Sequence, residues 1–462
     1  PTGRGEPDSD VVTKTPTHHF RTPVTAPGPL GQTMVRSMGA IRRNPLSYLN
    51  EVWRQHGDVV QFPIPRPPTY LVNRPEGVRR VLVDNARNYG KSTIQYRALS
   101  LVTGDGLLTS DGPTWRAQRR VLQPAFHHDA LADLGSHVAE ATARIAREWQ
   151  GIDERTVIDA DAFMMNAALE VVAGSLMSTD LTGQSAEIAA ATLEALDVVI
   201  ARARVPITPP SWLPTPANRV LKRSVARLDA AVSTMMSARS SDPGADLLGM
   251  LLSVRDENDQ PLSVEEIRDQ LVTFIVAGHE TVASALGWAW GLLAEHPTVA
   301  DAVASEADAV APSRTIAYSD FPHLTYSRAV VEETLRLYPP AWLITRSAGS
   351  RDRIDGVEIP AGALIIVSPW LLHRHPDLWD NPEVFDPSRF ASDVPRFAHI
   401  PFGAGPRLCI GRDFSYVEAV MVISELGRRF RMEFPEGQSL PPGEPLVTIR
   451  PSGGMPLHVH PR

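Results

Sequence analysis

At 462 residues, 43% of them hydrophobic and 21% charged, the chain is long enough to bury a large core and reads as a globular protein. Its 45 basic and 53 acidic residues give a net charge of −8 with histidine neutral, which argues against a dedicated nucleic-acid binder. One cysteine excludes an internal disulfide and fits a reducing compartment, read here as the cytoplasm. No run approaches the roughly 18 apolar residues of a membrane span. The most apolar stretch, Ala363 to Leu372, is broken by Ser368 and Pro369, and Pro1 to Leu30 is too polar and proline-rich for a secretory signal.

In chain order, residues 1–43 read as an N-terminal arm, partly disordered, ahead of one domain over residues 44–462. The first helix takes Asn44 as N-cap, Pro45 at its first position and Gly57 as terminator. Val59 to Phe62 and Tyr70 to Val72 form short strands, joined by a proline-rich turn. Asn88 to Pro113 is loop-rich with few periodic signals. A helix opens at Trp115, whose side chain shares one face with Arg119 four residues on. Residues 130–204 are alanine-rich and helical in period. Five prolines between Val205 and Pro216 then interrupt the helices around Trp212, and another helix runs from about Ala217 to Ser240.

The longest helix follows. Ser263 and Glu266 make a capping box, and apolar periodicity continues to His296, where Pro297 stops it. Such a helix spans roughly 50 Å. In its middle, Ala277-Gly278-His279-Glu280-Thr281 places a glycine that costs about 1 kcal/mol relative to alanine, so some close approach is expected there. Thr281 can bond back to the carbonyl of Ala277 and open the helix locally. A small-residue helix crossing would account for the same glycine. Further on, Glu333 and Arg336 sit at i and i+3 on one helix.

The only cysteine lies in Pro401-Phe402-Gly403-Ala404-Gly405-Pro406-Arg407-Leu408-Cys409-Ile410-Gly411, just before a helical run from Asp413 to Phe430. The first amides and the dipole of that helix favour an anionic sulfur. Gly403 and Gly405 permit φ-positive turns, Gly411 lets the next helix approach a planar group, Phe402 shields the sulfur and Arg407 adds positive charge. Phe-Gly-x-Gly-x-Arg-x-Cys-x-Gly resembles the haem-binding loop of the cytochrome P-450 family, in which the cysteine is the proximal ligand of haem iron.

The resemblance covers most of the chain from Asn44 and implies a mainly α single domain with a small β region, holding one haem b through Cys409. Ala277 to Thr281 resembles the family's oxygen-binding groove, with Glu280 and Thr281 as the catalytic pair that manages protons. Trp115 and Arg119 resemble the pair that holds a haem propionate. Arg346 and His399 stand where the family presents further propionate donors. Glu333, Arg336 and Arg389 resemble a structural trio, although Ser388 stands where glutamate is usual. Leu107, Leu108, Phe274, Trp342, Leu343 and Met455 form the implied substrate pocket, with Pro451 to Met455 resembling a hairpin tip that reaches into it. For Leu107 and Leu108 an ordinary surface loop is the competing reading. The two helices around Trp212 resemble the family's mobile lid.

The implied function is oxygen activation: one atom of O2 enters a lipophilic small molecule, a terpenoid, fatty acid or other secondary metabolite. No flavin or iron–sulfur region is apparent, so electrons are expected from a ferredoxin and its reductase. Arg116, Arg120, Arg412, Arg428 and Arg429 offer either a basic docking face or a scattered solvated surface. Two alternatives stay open, a haem-thiolate peroxygenase and a non-enzymatic haem sensor or ligand carrier. Peroxygenases of the family usually carry arginine and proline where Glu280 and Thr281 stand.

Overall fold

A computed structural model describes residues 24–462 apart from 65, 180–184, 204–208, 211, 240–243, 245 and 256–258. The first 23 residues of the expected arm, and residues 205–208 and 211 of the proline-rich Val205 to Pro216 stretch, lie outside the described residues. Within the same arm, Thr25 and Ala26 pack by their amides on the Gln61 side chain, and Gly31–Arg43 forms a helix that the sequence reading did not anticipate.

Val264–Glu295 is the axis of the molecule. Its capping box forms as expected: Ser263 Oγ accepts from the Glu266 amide at 3.1 Å, and the Glu266 carboxylate accepts from the Ser263 amide at 2.8 Å. Apolar residues bury it on nearly every side, which is the pattern of a core helix. It packs lengthwise on Ala160–Met177, and around this pair lie Leu131–Gln150, Thr325–Leu337 and Arg412–Arg429. Two helices, Ala160–Met177 and Val264–Glu295, are long and apolar enough to cross a membrane, contrary to the expectation of none. The apolar windows are 67% and 83% buried against the rest of the protein, so their apolarity is spent on the core.

A second, smaller core sits under a five-stranded sheet in the order Val59–Phe62, Thr69–Val72, Leu364–Val367, Ile344–Ala348, Tyr89–Gly90. Thr69–Val72 and Leu364–Val367 run parallel, and the other neighbours are antiparallel. In that register Arg346 stands opposite Ile365, on a buried strand facing the helical body. The helix before this sheet is capped as read, with Asn44 accepting from the Ser47 amide and Gly57 at φ +93°.

The segment 88–113, expected to be loop, contains the helix Ile94–Thr103. Thr93 caps it, Gly104 ends it at φ +58°, and Ala98, Leu99 and Val102 bury one narrow face. With only ten residues and a single turn of clear spacing, its periodicity is too short to stand out in the sequence. The two helices beside Trp212 are Ser185–Ala203 and Pro216–Ala238.

Candidate active site

The Cys409 loop is built by its glycines. Gly403 and Gly405 adopt φ +71° and +69°, and a Cβ on Gly405 would lie 2.0 Å from the Leu82 carbonyl oxygen. Two backbone bonds close the loop, Gly403 N–H to Ile400 O at 3.0 Å and Cys409 N–H to Phe402 O at 3.1 Å. Gly411 leads into Arg412–Arg429, and a Cβ there would meet only Phe126, at an ordinary 3.8 Å. Cys409 is surrounded by protein yet keeps accessible surface, so its thiol faces an internal cleft. Burial raises the thiol above its ordinary value, while the Gly411 amide and the guanidiniums of Arg119 and Arg412 pull the other way without overcoming it. The helix and its neighbouring charges therefore fall short of the ionised sulfur expected from the sequence. A metal bound there would supply the remaining stabilisation and displace the proton.

Beside the loop, four cations converge. Arg119 donates to the Leu408 carbonyl at 3.1 Å. Arg407 stacks over Trp115 at 3.9 Å, bonds the Ser110 carbonyl at 3.0 Å and pairs with Asp111. Arg346 reaches Tyr96 Oη at 3.3 Å, and Lys91 Nζ donates to the Leu108 carbonyl at 2.6 Å while lying over the Tyr96 ring. Burial, then repulsion from Arg346 and Arg407, holds the Lys91 ammonium well below its ordinary range, and burial brings Arg407 down to about 10. Asp111 is the one carboxylate engaged with this group among the described residues. Such an excess of buried positive charge fits a ligand carrying two carboxylates, as haem does. Lys91, Tyr96 and Asp111 were missed in the sequence, where nothing in their spacing links them to a loop some 300 residues away.

His399 does not join this cluster. Its ring lies among His373, Trp379 and Phe390, with Nδ1 3.5 Å from Glu332. Burial, with Arg336 close by, brings it down to about 3. It packs against the structural trio, which assembles as expected. Arg336 makes two bonds to Glu333, at 2.6 and 2.7 Å, with both side chains fully buried, and Arg389 lies 3.4 Å from the same carboxylate. The remaining Arg336 donors reach the carbonyls of His373, Pro382 and Val384.

On the long helix, Ala277, Gly278 and Thr281 stay half-exposed in an otherwise buried stretch, so this stripe lines the cleft. Thr281 Oγ1 bonds back to the Ala277 carbonyl at 2.8 Å. A Cβ on Gly278 would come within 2.9 Å of Val172, so its close approach is the crossing with Ala160–Met177. His279 is buried, donates to the Ile275 carbonyl and is lowered to about 4 by burial. Glu280 turns away from Thr281: its carboxylate accepts from Thr448 Oγ1 at 3.0 Å, and burial raises it to about 7.

The expected pocket residues divide. Leu107 donates its amide to Gln270 of the long helix at 3.0 Å, so the loop carrying Leu107 and Leu108 is anchored over the helix and the cation cluster. Leu343 is half-buried, and its neighbour Ile344 lies 3.9 Å from where a Cβ on Gly403 would stand. Phe274 stacks on Phe126, which meets Phe414, placing it in the wall between the long helix and the Cys-loop helix. Trp342 donates to the Leu446 carbonyl at 2.9 Å. Met455 is not at a tip. It is fully buried on the far part of the long helix, where a Cβ on Gly291 would meet its sulfur at 2.6 Å. The hairpin pairs Gly443–Pro445 with Ile449–Pro451, so its tip is Leu446–Thr448, and residues 451–455 lead into the next strand. Arg428 leaves the proposed basic face as well: it is 8% exposed and spends its donors on the Ala311 and Arg314 carbonyls and Glu425. Arg429 pairs with Glu425 and Arg412 with Asp413, whereas Arg116 and Arg120 are exposed.

The comparisons with known proteins agree with this geometry. Residues 26–457 match the sequence profile of the cytochrome P-450 family. The chain is 35% identical over 438 residues to a cyclooctatin synthase of Streptomyces melanosporofaciens, covering 92% of this chain and 93% of that protein. It is 36% identical over 427 residues to a cyclooctat-9-en-7-ol 5-monooxygenase of the same organism, covering 90% and 91%. A pentalenene oxygenase of Streptomyces avermitilis is 34% identical over 448 residues, 95% of each chain. With a thiol-bearing glycine loop, a half-exposed small-residue stripe on the long helix and this match over almost the whole length, the chain belongs to the cytochrome P-450 family and is a haem-dependent monooxygenase.

Proposed function

We propose that this monooxygenase oxidises a cyclic terpenoid, with electrons from a ferredoxin and its reductase in the bacterial cytoplasm. The reading is supported by relatives named for cyclooctatin, cyclooctat-9-en-7-ol and pentalenene, and by an apolar approach to the cleft through Leu107, Leu108 and Leu343. Cys409 would ligate the iron, and Trp115, Arg119, Arg346 and Arg407, with Lys91, would hold the two carboxylates. When bound, the haem supplies activation of O2: with two electrons and two protons, one oxygen atom enters the substrate and the other leaves as water.

The observation that carries this reading is the half-exposed stripe Ala277, Gly278 and Thr281 on a helix otherwise buried from Asp269 to Leu293. The Thr281 hydroxyl is the polar group on that stripe, and its bond to Ala277 fixes where its oxygen stands. In this role it orients a proton at Oγ1, and Glu280 in the next position holds a second proton on the far side of the helix. Geometry precedes acidity in such a relay.

The test is a panel of cyclic terpenoids and fatty acids, read by the shift of the haem spectrum on binding and by product analysis with a ferredoxin system. A terpenoid should shift the spectrum and yield a product heavier by one oxygen; fatty acids alone doing so would overturn the terpenoid assignment. With the active substrate, Thr281→Ala should keep haem content and binding. Product per nicotinamide should fall several-fold while hydrogen peroxide rises.

A further inference from the structure

The hairpin tip Leu446–Thr448 is clamped in a way that its own length does not require. The Ile449 carbonyl accepts from Ser284 Oγ at 2.6 Å and from Trp288 Nε1 at 2.8 Å. Ser284 and Trp288 lie four and eight residues beyond Glu280, on the same stripe of the long helix. From the other side, Trp342 holds the Leu446 carbonyl, and the Pro340 carbonyl accepts from the Ile449 amide at 3.3 Å. This clamp delivers the fully buried Thr448 hydroxyl to the Glu280 carboxylate at 3.0 Å. Two residues further, Arg450 pairs with Asp161 of Ala160–Met177, whose carboxylate packs where Gly287 leaves room.

The charged groups facing Glu280 come from three elements. Arg450 on the hairpin favours its anion, and Asp161 and Asp197, the latter on Ser185–Ala203, oppose it. Burial is the main reason that this acid keeps a proton that exposed glutamates lose, and one cation among three acids does not offset it. Asp197 is solvent-exposed and close enough to the exposed Glu444 to feel its charge, which puts the outer end of this group at the surface.

We propose that the hairpin tip is a positioning element for proton supply. Thr448 and Arg450 fix the orientation and charge of Glu280 behind the Thr281 groove, against the opposing charge of Asp197 at the surface. The catalytic part rests on the monooxygenase reading above; the electrostatic part does not.

In the haem-loaded protein, the carboxyl stretching band that disappears in Glu280→Gln identifies this acid in the infrared, and its pH midpoint can be followed without turnover. Thr448→Val removes a donor to the anion and should raise the midpoint by about one pH unit. Thr448→Ser should restore it. Asp197→Asn removes an opposing charge at an exposed position and should lower the midpoint. The pH profile of coupled turnover should move in the same directions. Unmoved midpoints in both Thr448→Val and Asp197→Asn would overturn the proposal, as would a moved midpoint that the turnover profile does not follow. If Thr448→Val loses its haem, Asp197→Asn carries the test. Failure to oxidise any terpenoid would count against the substrate assignment alone, because peroxide formation and the infrared midpoint remain readable.

Discussion

Two buried arginine clusters lie within this molecule, and they are opposite in kind. Around Glu333, the two oxygens of one carboxylate meet Arg336 and Arg389, and the other Arg336 donors end on carbonyls. Around Cys409, Lys91, Arg119, Arg346 and Arg407 share one carboxylate, and Lys91 is held well below its ordinary range by burial and by its cationic neighbours. A network of the first kind is a strut, since its carboxylate meets both guanidiniums and every Arg336 donor is taken. An unbalanced one of the second kind is costly for the fold by itself and is repaid when an anion binds. The distinction lies in the count of partners, because both clusters are buried and both are rich in arginine.

The largest expected effect comes from breaking the strut. Removing one partner of a buried ionic network costs about 3–5 kcal/mol, against a typical total stability of 5–15 kcal/mol. Glu333→Ala would leave Arg336 fully buried with no carboxylate. Little soluble, haem-loaded protein should be recovered, and what survives should melt far below the parent in calorimetry. An unchanged melting temperature would mean that the cluster is not a strut.

Glu280 falls between the two kinds, one acid of three around a single arginine, and its effect should depend on pH. Its folded-state value is raised to about 7 from about 4.5, chiefly by burial. Over that window the native state keeps a proton that the unfolded chain releases, so stability falls as pH rises and the penalty is complete above pH 7. Glu280→Gln should therefore stabilise the protein at pH 8, by at most about 3 kcal/mol, and leave it unchanged at pH 4.5. His279 loses stability in the opposite direction, as pH falls from about 6.5 towards about 4, but that term is common to both proteins and cancels. Equal stabilisation at both pH values would show that the carboxyl's charge is not the cause.

How legible these features were in the sequence follows from how local they are. The Cys409 loop, the capping box at Ser263 and the Glu333–Arg336 pair are each set by spacings of ten residues or fewer, and each appears as read. The groups that were missed are long-range: Lys91 lies over Tyr96, which bonds Arg346, and Thr448 meets Glu280, across 168 residues in the latter case. His399 was misplaced because its distance from Cys409 in sequence does not say which way the Pro395 to Ile400 turn aims its ring. Met455 was misplaced because the turn that Pro451 to Gly454 does form, closed by the Gly454 amide on the Pro451 carbonyl, packs it against Gly291, whereas the hairpin tip is Leu446–Thr448. The Ile94–Thr103 helix shows the same limit from the other side, a short element fixed mainly by what it packs on.

The smallest effect is the most discriminating, because it should differ in sign between two states of one variant. Arg346 is buried on its strand and, among the described residues, bonds the Thr345 carbonyl and Tyr96 Oη. Arg346→Gln removes one charge from a cluster where it repels Lys91. Without haem, the variant should be as stable as the parent or slightly more so, since repulsion falls and the polar tip can keep a hydrogen bond. With haem, a charge-assisted partner of a carboxylate is lost, and transfer of haem to a competing acceptor protein should speed up by about tenfold, equivalent to about 1.4 kcal/mol. A strut residue cannot behave this way, because its loss would weaken both states alike. If the haem-free protein loses stability as much as the loaded one, Arg346 belongs with Glu333 and Arg336, and the reading of the cluster as an unbalanced carboxylate site fails at that position.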